Sequence, residues 1–326
     1  MVDRQDKVVV ARRGRGAAPT HRAPTAITAL DRKREDFVPY ARGPALIGDY
    51  AYWVRKGQLV RARLDGSGTP EVLATDARNG TRVAGGQGPG VAALVAYITP
   101  PDAKGALHAK LWIQGGKSLD LTEEGAGASS VALVTQKAGW TVLTLDGRSA
   151  MTPLHARRVS PQGAGVSLGP DIVAWVGASA QSTTEVFAAA TDDHVWAFVP
   201  IEQDVSHFGL AQIEIGSEPR LDVPASFASY PNGLNTAPAA AASICGRTTA
   251  VFAQPENATP NAPQELMLAA IGKDGLEAGE VVAKARSFAD ASLAPVTGGG
   301  LLVYNAEHRT WAVSLRCKRA EPPSPH

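Results

Sequence analysis

The sequence predicts an all-β chain folded as a β-propeller, a ring of radial four-stranded sheets. Three observations lead there. Short apolar runs alternate throughout with clusters of Gly, Asp, Asn and Pro, the pattern of many short strands joined by turns. Helical periodicity is scarce, and the two stretches that tempt a helix assignment, Gln264 to Ile271 and Glu280 to Ala289, read equally well as strands. Four of the runs recur at an even spacing: Tyr50–Val54, Val91–Val95, Val131–Val134 and Ile172–Val176 start 41, 40 and 41 residues apart. A repeat of about 40 residues holding three or four antiparallel strands has the size of one propeller blade. A lone blade has two apolar faces and cannot bury both. A ring of blades buries all of them and leaves few open edges.

Composition agrees with this reading and excludes other classes. The 326 residues are 44% hydrophobic and 19% charged, with a net charge of +1, so a sizeable core is expected rather than disorder or a general affinity for nucleic acid. No apolar run approaches the roughly 20 residues of a membrane-spanning helix.

Along the chain, several apolar runs are followed by further strands and turns. Tyr50–Val54 leads to Gln58–Leu64 and then to Pro70–Ala74, with Asp65-Gly66 between the last two. Lys110–Ile113 ends at Gly115-Gly116 before Ser118–Leu121. Trp140–Leu145 ends at Asp146-Gly147 before Pro153–Arg157, and Gln264–Ile271 ends at Asp274-Gly275. Asp-Gly and Gly-Gly supply the positive φ that tight turns need. Ala250–Ala253 and Leu301–Tyr304 resemble the earlier runs. The segment 177–248 holds four strand-like stretches: Thr184–Ala190, Val195–Ile201, Gly209–Ile215 and Arg220–Val223. Divided between two blades they make the ring seven-bladed, which is the favoured count. Gathered into one expanded blade they make it six-bladed. The last blade is short, and Lys7–Ala11 is the candidate strand to complete it and clasp the ring. The expected organisation is therefore a closing strand and connecting arm over 1–43, one propeller over 44–317 and a flexible tail over 318–326.

The run from Tyr52-Trp53 through Gln58–Leu64, Asp65-Gly66 and Val72-Leu73 resembles one repeat of the YWTD and TolB-like propellers. Those repeats place an aromatic pair on one strand, end the next in Leu-Asp-Gly and close a third with Val-Leu. Val131–Val159 echoes the pattern with Leu145-Asp-Gly but without the aromatic pair. Position 54 is Val where the family carries Thr, and Arg55 stands in place of Asp. The resemblance implies the architecture and carries no activity across.

No catalytic constellation emerges. Asp192, Asp193, His194, Asp204 and His207, with Glu202 nearby, are weak candidates for a divalent metal, because oxygen and imidazole ligands of this kind suit one. They flank an apolar strand and match no ligand motif, so solvated turns explain them more simply. Gly165-Val-Ser167-Leu-Gly169 fits a nucleophile elbow by letters, but the elbow requires a strand before the serine and a helix after it. Here prolines stand on both sides, at Pro161 and Pro170. Gly85–Gly90 does not fit a dinucleotide loop. The six tryptophans read as packing between blades. The basic arm at Arg12, Arg13, Arg15, Arg22 and Arg32–Arg34 reads as a solvated tether.

The two cysteines, Cys245 and Cys317, are expected to form one disulfide. They sit in no CxxC and near no histidine cluster, which argues against zinc or redox chemistry. The disulfide and the loop-rich, Ala-Gly-Arg-Pro-biased composition suggest a bacterial periplasmic, outer-envelope or secreted protein. No leader is visible, so a signal peptide or lipid anchor is expected upstream of Met1. The expected function is a non-enzymatic protein-interaction or scaffold module, with a protein partner, no cofactor, no nucleic acid and no membrane span. The alternative is a propeller hydrolase or lactonase using a metal or carboxylates at the channel mouth.

Overall fold

The computed structural model describes residues 9–10, 25–26, 28–29, 44–88, 90–123, 126–146, 151–163, 165–178, 185–190, 195–204, 207–215, 226–229, 238–256, 262–272, 275–276, 279–286, 288–296, 298–306 and 309–317. Every regular element among them is a strand. Three short strands come first, β1 (Val9–Val10), β2 (Thr25–Ala26) and β3 (Thr28–Ala29). Consecutive strands then build six antiparallel sheets. The first sheet is β4 (Ala45–Ile47), β5 (Tyr50–Arg55), β6 (Gln58–Arg63) and β7 (Glu71–Ala74). The second is β8 (Ala84–Gly88), β9 (Val91–Ile98), β10 (Ala109–Ile113) and β11 (Lys117–Asp120). The third is β12 (Ser130–Gln136), β13 (Gly139–Leu145), β14 (Met151–Gln162) and β15 (Gly165–Ala178). The fourth is β16 (Phe187–Ala190), β17 (Val195–Asp204), β18 (His207–Ile215) and β19 (Ser226–Ser229). The fifth is β20 (Pro238–Ile244), β21 (Arg247–Pro255) and β22 (Gln264–Gly272), flanked by β23 (Gly275–Leu276) and β24 (Glu280–Ala285). The sixth is β25 (Phe288–Val296), β26 (Gly299–Ala306) and β27 (Arg309–Arg316), with β2 outermost. The first strands of all six sheets surround one central cavity. The chain is a β-propeller.

Three sequence expectations shift in detail. The stretches Thr184–Ala190, Val195–Ile201 and Gly209–Ile215, which the seven-blade reading divides between two blades, lie together in the fourth sheet. Arg220–Val223 lies outside the described residues. The strand expected at Lys7–Ala11 is present as β1 but pairs with β3, while β2 supplies the partner of the last strand through Thr25–Ala312 and Ala26–Trp311. The even spacing is also only partly a true repeat. Tyr50–Val54 and Val91–Val95 are second strands of their sheets, but Val131–Val134 is a first strand and Ile172–Val176 a fourth. First strands begin at residues 45, 84, 130, 187, 238 and 288, so the repeat lengthens after the second sheet. The cause in the third sheet is the β14–β15 hairpin, which runs past the end of β13 as far as the Gln162–Gly165 pair.

Burial explains why these strands are continuous apolar runs rather than alternating ones. A sheet packed on both faces has no solvent side to which a polar residue could point. All seven residues of β13 are buried. Trp140 and Val142 face the second sheet, packing with Leu94, Leu111 and Val131. Leu143 and Leu145 face the fourth, packing with Val186, Ala197 and Val199. Fully burying such a side chain contributes roughly 1.5–3 kcal/mol.

First strands crowd around the axis, and three of the six are built mainly from small residues: Ala84–Gly88 is Ala-Gly-Gly-Gln-Gly, Phe187–Ala190 carries three alanines and Pro238–Ile244 four. At Gly88 a Cβ would lie 2.6 Å from the Trp140 ring, and at Gly86 2.7 Å from Leu133. The Gly85–Gly90 segment is therefore a close-packed inner strand and its turn. We expect Gly88→Leu to destabilise the fold by about 1–3 kcal/mol through overpacking against Trp140, measured by urea denaturation.

The disulfide joins Cys245, in the two-residue turn between β20 and β21, to Cys317, just after β27, with Cα atoms 5.4 Å apart. It ties the fifth sheet to the end of the last strand. Cys245 and Gly246 both have positive φ (56° and 72°), the combination that matches a two-residue hairpin to strand twist. Lys56 and Gly57 repeat it between β5 and β6. The bridge spans a sequence separation of 72 residues. Removing it in a Cys245→Ser, Cys317→Ser double variant should cost about 4 kcal/mol by the chain-entropy model, read as a lower denaturation midpoint.

Candidate functional site

The central cavity is the one place where all six sheets meet. Its volume is about 390 Å³. Its walls come from 44–48, 82–87, 131–135, 186–190, 240–243 and 292–295, one stretch per sheet. All six first strands run the same way, so the cavity has two unlike ends. Pro44, Arg82, Val186 and Ser292 mark one end, and Gly48, Gln87, Thr135, Ser243 and Pro295 the other.

The first end is closed by side chains that sew neighbouring and opposite sheets together. The Ser130 hydroxyl accepts from the Val186 backbone N–H at 3.0 Å, joining the third and fourth sheets. The Ser292 hydroxyl donates to the Pro44 carbonyl at 3.3 Å, joining the sixth and first. Arg82, from the second sheet, reaches furthest. One of its terminal nitrogens donates to the Ala291 carbonyl of the sixth sheet at 3.2 Å. Its Nε lies 3.9 Å from Glu185, and its guanidinium covers the Phe187 ring at 5.2 Å, both at the start of the fourth sheet. The second, fourth and sixth sheets alternate around the cavity, so a group touching all three lies over its axis. Arg82 and Glu185 are each only 15% exposed. The other end opens between Gln87, Thr135 and Pro295, all exposed.

A second polar network lies farther out, where loops entering the second and third sheets fold against the third strands. Asp76, before the second sheet, accepts from Lys110 Nζ at 2.7 Å and from the Tyr97 hydroxyl at 2.9 Å. Burial alone would raise its pKa, but the hydrogen bonds from Lys110 and Tyr97 outweigh that and hold the carboxyl below its usual range. Glu123, before the third sheet, plays the same part toward Arg157 at 3.0 Å. Arg157 also lies 4.0 Å from Asp171, which accepts from His155 Nδ1 at 2.8 Å. The bulges in β14–β15 bring Asp171 diagonally under His155. Its hydrogen bond to Asp171, aided by the charges of Asp171 and Asp146, raises the His155 pKa against the opposing effects of burial and Arg157. A His–Asp pair is a possible acid–base dyad by type. Its cross-strand neighbour here is the buried Thr144, and Arg157 and Glu123 close it from the side, so it serves as a brace between the third and fourth strands.

The structure places the sequence candidates as follows. Cys245 and Cys317 are joined. Asp192, Asp193 and His194 lie outside the described residues. Asp204, at the end of β17, and His207, at the start of β18, are register partners in the fourth sheet. Among the described residues no group of three or more His, Cys, Asp or Glu is gathered for a metal. Ser167 sits inside β15 opposite Ser160, within a continuous hairpin instead of a strand-to-helix elbow. Trp53, Trp112, Trp140 and Trp175 are buried, and Trp196 and Trp311 pack at the edges of inter-sheet clusters. Sequence reasoning missed Arg82 and Glu185. Arg82 stands in Thr81-Arg-Val-Ala-Gly, a segment without a motif, and its contacts come from two distant sheets.

No protein-family model matches the sequence, and no curated protein is similar to it. Solved structures are similar in fold. The fungal lectin of Aleuria aurantia, described as a six-bladed β-propeller with a novel fucose recognition mode, is 12% identical, covers 89% of this chain and 99% of its own, and has a TM-score of 0.51. A mutant of the same lectin in complex with α-methyl-L-fucoside is 10% identical over the same shares, with a TM-score of 0.53. A subtype N10 neuraminidase-like protein of A/little yellow-shouldered bat/Guatemala/060/2010 is 12% identical, covers 85% of this chain and 96% of its own, and has a TM-score of 0.50. At these identities the likeness is one of fold.

The His155 brace has a pH signature. A raised histidine pKa adds stability that is complete below the unfolded value near 6.5 and is lost as pH rises through the folded value. His155→Gln should therefore destabilise the protein by about 1.5–3 kcal/mol at acidic pH and by clearly less once wild-type His155 is neutral, measured by denaturation midpoints across pH.

Proposed function

We propose that this propeller is a non-enzymatic binding module that engages a protein partner along its rim. The carrying observation is the placement of its exposed large hydrophobic residues. Among the described residues four are exposed, and three of them lie on outermost strands: Val72 (48%) on β7, Val176 (37%) on β15 and Val281 (40%) on β24. No described strand pairs with the outer edges of these three. An outermost strand offers unpaired backbone donors and acceptors, and an apolar side chain beside them favours docking of an extended segment. The polar groups at the closed end of the cavity and in the loop network are, by contrast, engaged with one another. A structural disulfide supports placement in an oxidising compartment, and a bacterial envelope or secreted assembly is the setting that fits it. The Tyr52–Leu73 repeat supports kinship with YWTD and TolB-like propellers.

The test is affinity capture with cross-linking from a bacterial envelope extract, comparing wild type with the triple variant Val72→Glu, Val176→Glu, Val281→Glu. A stoichiometric protein partner should be retained by wild type and reduced about 10-fold or more by the charged rim, equivalent to roughly 1.4 kcal/mol. Turnover in a lactone and peptide-ester screen, lost in His207→Ala or Ser167→Ala, would replace this reading with a hydrolase.

A further inference from the structure

A second histidine, His108, is held in a different way from His155. It closes the loop between β9 and β10, where its backbone carbonyl accepts from the Thr99 N–H at 2.8 Å. Its ring lies between Asp102, in that loop, and Thr122, just past β11. Nε2 is 3.1 Å from Asp102 Oδ2, and Nδ1 is 3.2 Å from Thr122 Oγ1. Asp102 is itself fixed, because its Oδ1 accepts from the backbone N–H groups of Lys104 and Ala106, each at 2.8 Å. The hydrogen bonds from His108, Ala106 and Lys104 hold its carboxyl below the usual range. An ionised Asp102 can only accept, so the network assigns the ring proton to Nε2. Nδ1 of the neutral ring is then an acceptor, and the Thr122 hydroxyl donates to it. The Ala109 N–H takes one lone pair of Oγ1 at 3.4 Å, and among the described residues nothing takes the other. The His108 and Asp102 side chains are 26% and 37% exposed and Thr122 is half-buried, so a small reagent reaches the group from solvent.

We propose that Thr122 is a nucleophilic acyl-acceptor site that takes a small acyl group from an activated ester, with His108 as its general base and Asp102 as the residue that positions the base. A hydroxyl, a base within hydrogen-bond reach and a third group orienting that base are the parts that activate a weak oxygen nucleophile. Two of the three ride on the rigid ladder of the second sheet. His108 adjoins β10, Thr122 follows β11, and the Leu121 N–H carries the β10–β11 pairing on to the Ala109 carbonyl at 2.8 Å. Oγ1 attacks the acyl carbon while Nδ1 takes the hydroxyl proton. The tetrahedral adduct then collapses, the bond from the acyl carbon to the leaving oxygen breaks, and Nδ1 returns the proton to that oxygen. The products are an acyl-threonine ester and a free alcohol. The step calls on no oxyanion donor, so the acyl donor is an aryl ester, whose leaving group departs without that help. His155 is not set for the same step, because its Nδ1 is held by Asp171. A single acyl group transferred to the chain itself is a modification and not turnover, so the rim reading stands or falls separately and shares no residue with this site.

The test is incubation of the full chain with p-nitrophenyl acetate, followed by peptide mass spectrometry to map the acetyl groups. Wild type should carry acetyl on Thr122, while acetylation of exposed lysines reports the general reactivity of the reagent. His108→Gln should slow Thr122 acetylation about 100-fold and leave the lysines unchanged. Thr122→Ser should retain labelling at that position. Asp102→Asn should slow it about 10-fold or more, because an amide nitrogen donating to Nε2 moves the ring proton to Nδ1. Nitrogen NMR of the imidazole reads that tautomer change, which a merely structural role for Asp102 would not produce. Absence of acetyl on Thr122 in wild type, with the lysines labelled, overturns the proposal even if His108→Gln does not fold. So does unchanged Thr122 acetylation in folded His108→Gln or in Asp102→Asn.

Discussion

The crowding of six first strands around one axis is the constraint on which the rest of this structure depends. Radial sheets converge, so space is shortest near the axis, and three of the six first strands answer with mainly small residues. The run Ala84–Gly88 meets this limit with glycine where Trp140 and Leu133 press in from the third sheet. The same convergence sets the outer composition. Sheets diverge with distance from the axis, and larger residues such as Tyr52, Trp112 and Trp140 fill the widening gaps between them. Both faces of β13 are buried for the same reason.

Charge is handled by sequestration. Near the axis, Arg82 finds Glu185 and a backbone carbonyl in sheets to which it is not adjacent, so one side chain braces three members of the ring. Farther out, Asp76 and Glu123 repeat one device: a carboxylate on the loop entering a sheet receives the cation of that sheet's third strand. A carboxylate so placed anchors an otherwise irregular loop to a rigid ladder. The partly buried Arg157, His155 and Asp171 gain more from such pairing than exposed charges do, because water screens them less.

The architecture was legible because its cause is local. Turn residues and two-sided burial leave a signature within each run of ten residues, as in Tyr50–Arg55 followed by Lys56-Gly57 and Gln58–Arg63. The cysteine pairing was legible because two cysteines allow one intramolecular bridge. Strand position within a sheet was not legible. Val131–Val134 and Val91–Val95 look alike, since a first and a second strand are both buried on two faces, and this is why the apparent 40-residue period overstated the regularity. The cavity was illegible for a different reason. Arg82, Glu185 and Ala291 carry no shared pattern in sequence, and only closing the sheets around one space brings them together. His155 and Asp171 depend on two bulges, which no alternation pattern announces.

The sixth sheet combines a strand from near the start of the chain with three from its end, and this has a consequence for biosynthesis. As the polypeptide leaves the ribosome, β2 emerges early but has no partner until β27 has been made. Five sheets are then complete while the sixth awaits its last strand. Nascent chains halted anywhere before Arg309 would display an open flank of apolar sheet, the kind of surface that chaperones retain and that aggregates form upon. Among the described strands the most distant pairing therefore waits on the strand that is made last, and the sixth sheet is the last to be completed.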